Sequence, residues 1–337
     1  MSMQTYLDRY LPLIERALVE ALSPGNELSA YYGMMQYHMG WLDEMLQPAR
    51  APQGKRLRPV LCLLACEAAG GQIDHALPAA AAVELVHNFS LIHDDIEDGS
   101  PTRRHRSTVW KVWGMAHALN CGDGMFTKAF LTLGQLPERG VSLRQAHDAQ
   151  QVLAGTCLTL TEGQYQDMTF ETLMDVDLES YLCMIRKKSA ALIACSARLG
   201  ALLGGATLEI TDAYSRFGEN LGMAFQVVDD VLGIWGAEGK TGKSTSTDIL
   251  ARKKSLPIVY ALDSSELRTI YAQEQIDERD VDRVAAILEK AGAREYAERM
   301  AREYSAQALH YLAQTGPDSA ARQAIGELAQ SLLGRQT

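Results

Sequence analysis

Nearly every long stretch of this chain carries its apolar residues at the three- and four-residue spacing of an α-helix, and almost none alternates as a strand must. The pattern runs through TYLDRYLPLIERALVEAL, LRPVLCLLACEAAGG, LESYLCMIRKKSAALIACSARLGALLGG, YSRFGENLGMAFQVVDDVLG and DRVAAILEKAGAREYAERMAREYSAQALHYLAQ. Such a chain can bury its apolar stripes only by packing helix on helix, so an all-α bundle is expected. The breakers SPGN, QPARAPQGK, GSP, LPERGVS, GGAT, GIWGAEGKTGKS and TGPDS are short enough to be helix connections. No shift of composition marks a second domain. With 337 residues, 47% of them hydrophobic, one large domain over 1–337 can bury a sizeable core.

Charge narrows the choice of partner. A formal net charge of −10 argues against a general affinity for nucleic acid or anionic membrane, because both need a basic face to displace counterions. Cys62, Cys66, Cys121, Cys157, Cys183 and Cys195 are scattered in apolar helical contexts, without zinc-site spacings, and read as reduced core residues. Asp8, Arg9 and Glu15 interrupt the N-terminal helix too early for a signal peptide, and no charge-free run reaches the ~18 residues of a membrane span. A soluble, cytoplasmic protein is expected.

The informative stretch is LIHDDIEDGSPTRRHRSTVW. Asp94, Asp95, Glu97 and Asp98 crowd the end of a predicted helix that Pro78 opens and Gly99–Pro101 closes. A helix C-terminus is the negative end of the macrodipole, so each acid there is disfavoured by roughly 0.3–1 kcal/mol, and the sequence supplies no compensating cation within the turn. Helical spacing brings Asp94, Asp95 and Asp98 toward one side, with His87 within roughly 20° of that line. A second apolar helix ends in the same way, with Gln226, Asp229 and Asp230 before a glycine-rich loop. Two such acidic helix ends can hold hard cations through oxygen ligands, magnesium above all, with water and substrate phosphate completing the shell. Each cluster taken alone is equally well read as a solvated helix end.

Basic residues accompany these acids. Lys55, Arg56 and Arg58 in GKRLRP open a helix, where backbone amides also favour an anion. Arg103, Arg104 and Arg106 follow the first acidic cluster, Lys187 and Lys188 lie mid-helix, and Lys240, Lys243, Lys253 and Lys254 follow the second. Arginine forks and lysine charges beside metal-binding carboxylates describe a diphosphate site. GAEGKTGKS is not a P-loop, since Ala237 stands where the first glycine is needed and no strand precedes it. A phosphotransferase using Lys243 and Ser244 is thereby a remote alternative.

Taken together, LIHDDIED, RRHRSTVW, GKRLRP, FQVVDD and GK…D…KKSLP resemble the trans-type isoprenyl diphosphate synthases from about Gly54 to Leu262. The resemblance implies an all-helical isoprenoid-synthase bundle with a central apolar cavity, usually a homodimer, that condenses isopentenyl diphosphate with an allylic diphosphate using two or three magnesium ions. Asp94, Asp95, Asp98, Asp229 and Asp230 match the metal ligands, and with Lys188 form the catalytic set. Lys55, Arg58, His87 and Arg104 match the positions that bind isopentenyl diphosphate. Arg103, Lys188, Ser189, Gln226, Lys243 and Lys253 match those that grip the allylic diphosphate, with Lys254 competing for the place of Lys253. Gln164 and Asp167 resemble a third, weaker patch.

Two positions depart from the pattern. Gly233 stands where a third aspartate is usual, leaving the affinity of one metal in doubt, and His105 replaces a common glycine. Phe89, five positions before Asp94 and roughly 7–8 Å deeper along the axis, is the expected cavity floor on the resemblance, with the small Ser90 beside it. By the resemblance this predicts geranylgeranyl diphosphate as product, with farnesyl diphosphate as the alternative. A class I terpene cyclase shares fold and first motif but not Lys55, Arg58, Arg104 and KKSLP. A non-catalytic partner subunit is favoured by Gly233 alone.

Overall fold

The computed structural model describes residues 3–23, 28–236, 247–273 and 275–333. They are helical almost throughout. The helices α1 (Met3–Ala21), α2 (Ser29–His38), α3 (Leu57–Ala68) and α4 (Ile73–Glu97) precede a two-stranded ribbon of β1 (Thr102–Arg103) and β2 (Arg106–Ser107). Then follow α5 (Val109–Trp113), α6 (Met115–Leu133), α7 (Leu143–Thr172), α8 (Leu178–Ile185), a π-helical turn over Arg186–Ala190, α9 (Ala191–Leu203) and α10 (Leu208–Trp235). The remainder is α11 (Thr247–Leu250), α12 (Leu256–Tyr260), α13 (Ser265–Tyr271), α14 (Glu278–Lys290), α15 (Ala293–Ala313) and α16 (Ala320–Leu333). The all-α expectation holds, and the strands amount to one short hairpin.

The chain divides into two compact units, Met1–Ala154 with Cys195–Thr211 and Gly316–Ile325, and Gly155–Ala194 with Asp212–Thr315 and Gly326–Thr337. Neither is continuous in sequence. In the first unit α4 is the central helix, packed by α1, α3 and α6. Its run from Ala79 to Val86 is buried all round, as a helix enclosed by others must be. The helix begins at Ile73, so Pro78 lies inside it rather than opening it. Proline there removes only the hydrogen bond to the Asp74 carbonyl, and burial of the alanine-rich run outweighs that loss.

In the second unit α8 and α10 share a core of Tyr181, Met184, Ile185, Met223, Val227, Val228 and Val231, joined by Leu256 and Val259 of α12. The π turn in this unit is closely packed on two sides. A β-carbon at Gly163 of α7 would lie 2.4 Å from the Lys188 amide nitrogen, and one at Gly222 of α10 would lie 2.5 Å from the Ala190 Cα. Two glycines thus let neighbouring helices close on the widened turn, the geometry in which a helix re-aims consecutive side chains. All six cysteines are free thiols, five of them buried. Among the described residues, no helix is long and apolar enough to cross a membrane.

Candidate active site

In the first unit the expected residues gather around the C-terminal half of α4 and the segments facing it. Asp94 and Asp95 lie in its last turns, and Asp98 is its C-cap. The Asp95 carboxylate is 2% exposed, and its Oδ1 accepts from Nε of Arg103 at 2.8 Å, with Nη2 of the same guanidinium paired to it at 2.8 Å. Burial pushes this carboxyl up to about 6; Arg103 opposes the shift, and Asp94 and Asp98 add to it. Asp95 Oδ2 is buried without a hydrogen-bond partner. A partnerless hard oxygen beside two further carboxylates is the donor chemistry that suits a divalent cation. The acids do not form a closed cluster by themselves, since among the described residues no group of three His, Cys, Asp or Glu is drawn together to hold a metal.

The ribbon sorts the arginines of RRHR into separate tasks. Arg104 and His105 form its turn, with φ of 51° and 62°. Both sit in the left-handed region where glycine is at ease, which explains why glycine is usual at the second of them. Arg103 goes to Asp95. Arg106 is structural, donating to the carbonyls of Tyr37 and Leu42 at 2.9 and 2.7 Å and lying over the Tyr37 ring. Arg104 reaches back to the GKRLRP segment, where a β-carbon on Gly54 would lie 3.0 Å from its Nη2.

His87 joins this group on α4. Packing around its ring pulls its pKa well below the usual value, and Arg58, Arg104, Arg103 and His38 depress it further. The fold therefore brings Arg58, His87 and Arg104 together, an arrangement of excess positive charge suited to a small polyanion. Lys55 is exposed at the mouth of α3. His38 was not foreseen. Burial, then Arg104 and Arg103, lowers it to about 3, while a bond with Asn88 opposes the shift. A lone histidine in an apolar helix gives no sequence signal of such company.

Phe89 is 7% exposed and meets Phe126 of α6 edge-on at 4.8 Å, and Phe126 meets Phe130 at 5.1 Å. Ser90 is half-buried and donates to the His87 carbonyl at 2.9 Å.

In the second unit the π turn sends successive residues to different partners. Lys187 donates to Glu162 at 3.0 Å, Lys188 to Asp167 at 2.5 Å, and the Ser189 hydroxyl to Gln226 Oε1 at 2.6 Å. Gln226 Nε2 then donates to Asp230 Oδ1 at 2.9 Å. Asp230 Oδ2 accepts from the Tyr181 hydroxyl at 2.5 Å and from the Leu256 amide at 2.9 Å. Burial pushes Asp230 up to about 7 against those three hydrogen bonds. Asp230 thus ties α8, α10 and α12 together, a task its place in an acidic pair did not reveal. Asp229, its neighbour, is less buried. Gln164 lies on α7 one turn before Asp167. Lys243 lies outside the described residues.

Two sequence ambiguities acquire a physical answer here. Lys254 donates to the carbonyls of Phe170 and Glu171 at 2.6 and 3.2 Å, so it caps the C-terminus of α7. The position next to Gly233 is filled rather than empty, because a β-carbon there would stand 2.0 Å from Asp248 Oδ2. Asp248, on α11, is the acid inside GK…D…KKSLP, and its carboxylate takes up the space beside Gly233.

The polyprenyl synthetase family model matches residues 39–288. The (2E,6E)-farnesyl diphosphate synthase of Mycobacterium tuberculosis (strain ATCC 25618 / H37Rv) is 39% identical over 315 residues, 90% of this chain and 86% of that protein. The geranylgeranyl diphosphate synthase of the same strain is 39% identical over 298 residues, 87% of this chain and 82% of that one. The crystal structure of a polyprenyl synthetase from Streptomyces coelicolor A3(2) superposes with a TM-score of 0.90 at 36% identity, covering 98% of this chain and 100% of the other. Members of the family use divalent metal ions. The chain belongs to the polyprenyl synthetase family and is a prenyltransferase, a trans-isoprenyl diphosphate synthase that elongates by condensation with isopentenyl diphosphate.

Proposed function

We propose that this enzyme makes geranylgeranyl diphosphate, as a cytoplasmic homodimer of single-domain chains over 1–337 that uses magnesium. The observation that carries the product assignment is Phe89, buried against Phe126 one and a half turns below the first acidic cluster. Farnesyl diphosphate is the second reading, since a farnesyl and a geranylgeranyl diphosphate synthase are equally similar to this chain. The six free thiols support a reducing compartment. Exposed Met115, Leu119 and Leu131 on α6 support a partner subunit.

Each group of residues then has a task. Arg58, His87, Arg104 and Lys55 bind isopentenyl diphosphate through charge-assisted hydrogen bonds and need no metal for it. Asp94, Asp95 and Asp98 in the first unit, and Asp229 and Asp230 in the second, would hold divalent ions, whose charge would offset that of the departing diphosphate. Lys188, Lys253 and Lys243 add positive charge to that leaving group, while Arg103, Ser189 and Gln226 orient it. The allylic cation forms among apolar side chains that exclude water, the isopentenyl double bond attacks it, and the released diphosphate takes the proton. Incubation with magnesium, labelled isopentenyl diphosphate and each allylic diphosphate in turn, followed by product sizing, tests the reading. A dominant product of fifteen carbons refutes the assigned length, and absence of any elongation refutes the synthase.

A further inference from the structure

Of the basic residues in GKRLRP, the middle one faces inward. Arg56 has φ 52° and ψ 36° immediately before α3, a left-handed conformation that residues other than glycine and asparagine rarely take. Its side chain is 2% exposed, donating from Nε to Glu15 Oε1 of α1 at 2.6 Å and from Nη1 to Glu84 Oε1 of α4 at 2.8 Å. Glu84 is itself 3% exposed, and its Oε1 also accepts from Asn88 Nδ2 at 3.0 Å. The second oxygen of Glu15 accepts from the Trp41 indole at 3.2 Å. Lys55 on one side of Arg56 is exposed, and Arg58 on the other is half-buried.

Burying a guanidinium and a carboxylate is an expensive way to gain stability, since desolvation consumes much of their attraction; the best-attested use of such a pair is to impose one register. Here the register concerns the site. Glu84 lies one turn before His87 on α4, and Arg58 lies two positions after Arg56 on α3. The ion pair therefore fastens the turn that carries Lys55 and Arg58 to the helix that carries their partner. We propose that Arg56 is a positioning residue for the isopentenyl diphosphate site, held by Glu84 and Glu15 so that the start of α3, with Lys55 and Arg58, is fixed against the part of α4 that carries His87. In this role Arg56 acts through Glu15 and Glu84, which accept from its Nε and Nη1, while its Nη2 is buried without a hydrogen-bond partner. The proposal rests on the synthase reading of Lys55, Arg58, His87 and Arg104.

The test compares Arg56→Met, Glu84→Gln, Glu15→Gln and the double variant Arg56→Gly/Glu84→Gln with the wild-type chain. The double variant leaves no unpaired buried charge, and glycine accepts φ 52° freely. KM is measured separately for isopentenyl diphosphate and for the allylic diphosphate, with a circular-dichroism melt on each protein. Folded variants at Arg56 and Glu84 are expected to raise KM for isopentenyl diphosphate about tenfold or more and to leave the allylic KM within about twofold. Glu15→Gln, at the more exposed partner, is expected to raise the first about threefold. A purely structural pair moves both constants together, or only the melting temperature, and either result overturns the proposal. Should Arg56→Met and Glu84→Gln fail to fold, the double variant and Glu15→Gln carry the same comparison. If the wild type shows no condensation, the synthase reading falls by itself. Calorimetry with metal-free inorganic pyrophosphate then decides the positioning separately, with equal affinity in wild type and variants as the refuting result.

Discussion

Replacing Gly233 with aspartate is the sharpest single test of how the second acidic group is built. Comparison of motifs alone says that Gly233→Asp restores a missing ligand and tightens metal binding. The structure says the opposite, because an ideal β-carbon at 233 falls 2.0 Å from Asp248 Oδ2 and 2.7 Å from its Cγ. The Asp248 carboxylate must retreat by roughly an ångström or more before ordinary contact is reached. Helix propensity returns only ~0.3 kcal/mol for aspartate and ~1 kcal/mol for alanine relative to glycine. Forcing atoms into a filled position costs about 1–3 kcal/mol. Two carboxylates about 4 Å apart repel by up to ~4 kcal/mol at an effective dielectric near 20, less where solvent reaches them. Gly233→Ala should therefore melt within a few degrees of wild type, gain and loss nearly offsetting. Gly233→Asp should be destabilised by about 2–4 kcal/mol without divalent ions. For both, the magnesium concentration giving half-maximal condensation should not fall, because the space a side chain at 233 would need is already taken by the Asp248 carboxylate. Thermal melts with and without magnesium, joined to a magnesium titration of the condensation rate, make the measurement. A Gly233→Asp enzyme as stable as wild type and saturated by less magnesium refutes the reasoning.

Three further outcomes are expected. Phe89→Ala opens the contact with Phe126 at a cost of about 3–5 kcal/mol and should shift the products to longer chains by size analysis; an unchanged distribution in a folded variant ends its assignment as the floor. Lys254→Met removes the cap on α7 and should cost about 1–3 kcal/mol in denaturant unfolding while turnover stays within a few-fold. Lys253→Met should do the reverse, lowering turnover with little change in stability. His38 is depressed to about 3 in the folded chain against an ordinary 6.5. The unfolded chain therefore binds more protons between those values, and stability gained from the neutral ring is complete above pH 6.5 and lost progressively as pH falls toward 3. His38→Gln should flatten part of the loss in unfolding free energy between pH 6.5 and 4.5, and an identical pH profile in the variant refutes the assignment.

What the sequence determined by itself was periodic and local. Apolar residues at helical spacing leave only helix-on-helix packing open, and they did so here for α1, α3, α9, α10 and α15. The acidic ends LIHDDIED and FQVVDD announced themselves because carboxylates at the negative end of a helix are costly unless something positive is brought to them. Those features depend on neighbours within one or two turns, which is the range a sequence displays directly. What only the tertiary structure decided was the partner of each charge. Lys55, Arg56 and Arg58 read alike in GKRLRP, yet a left-handed residue turns the middle one into a buried ion pair with Glu84 and Glu15 from two distant helices. Lys253 and Lys254 read alike as well, and the carbonyls at the end of α7 separate them. Gly233 reads as a missing ligand, and only the structure shows that the carboxylate of Asp248, fifteen positions later, lies against it. In each case the deciding contact joins residues far apart along the chain, and the energy of a buried charge depends on what surrounds it rather than on what precedes it.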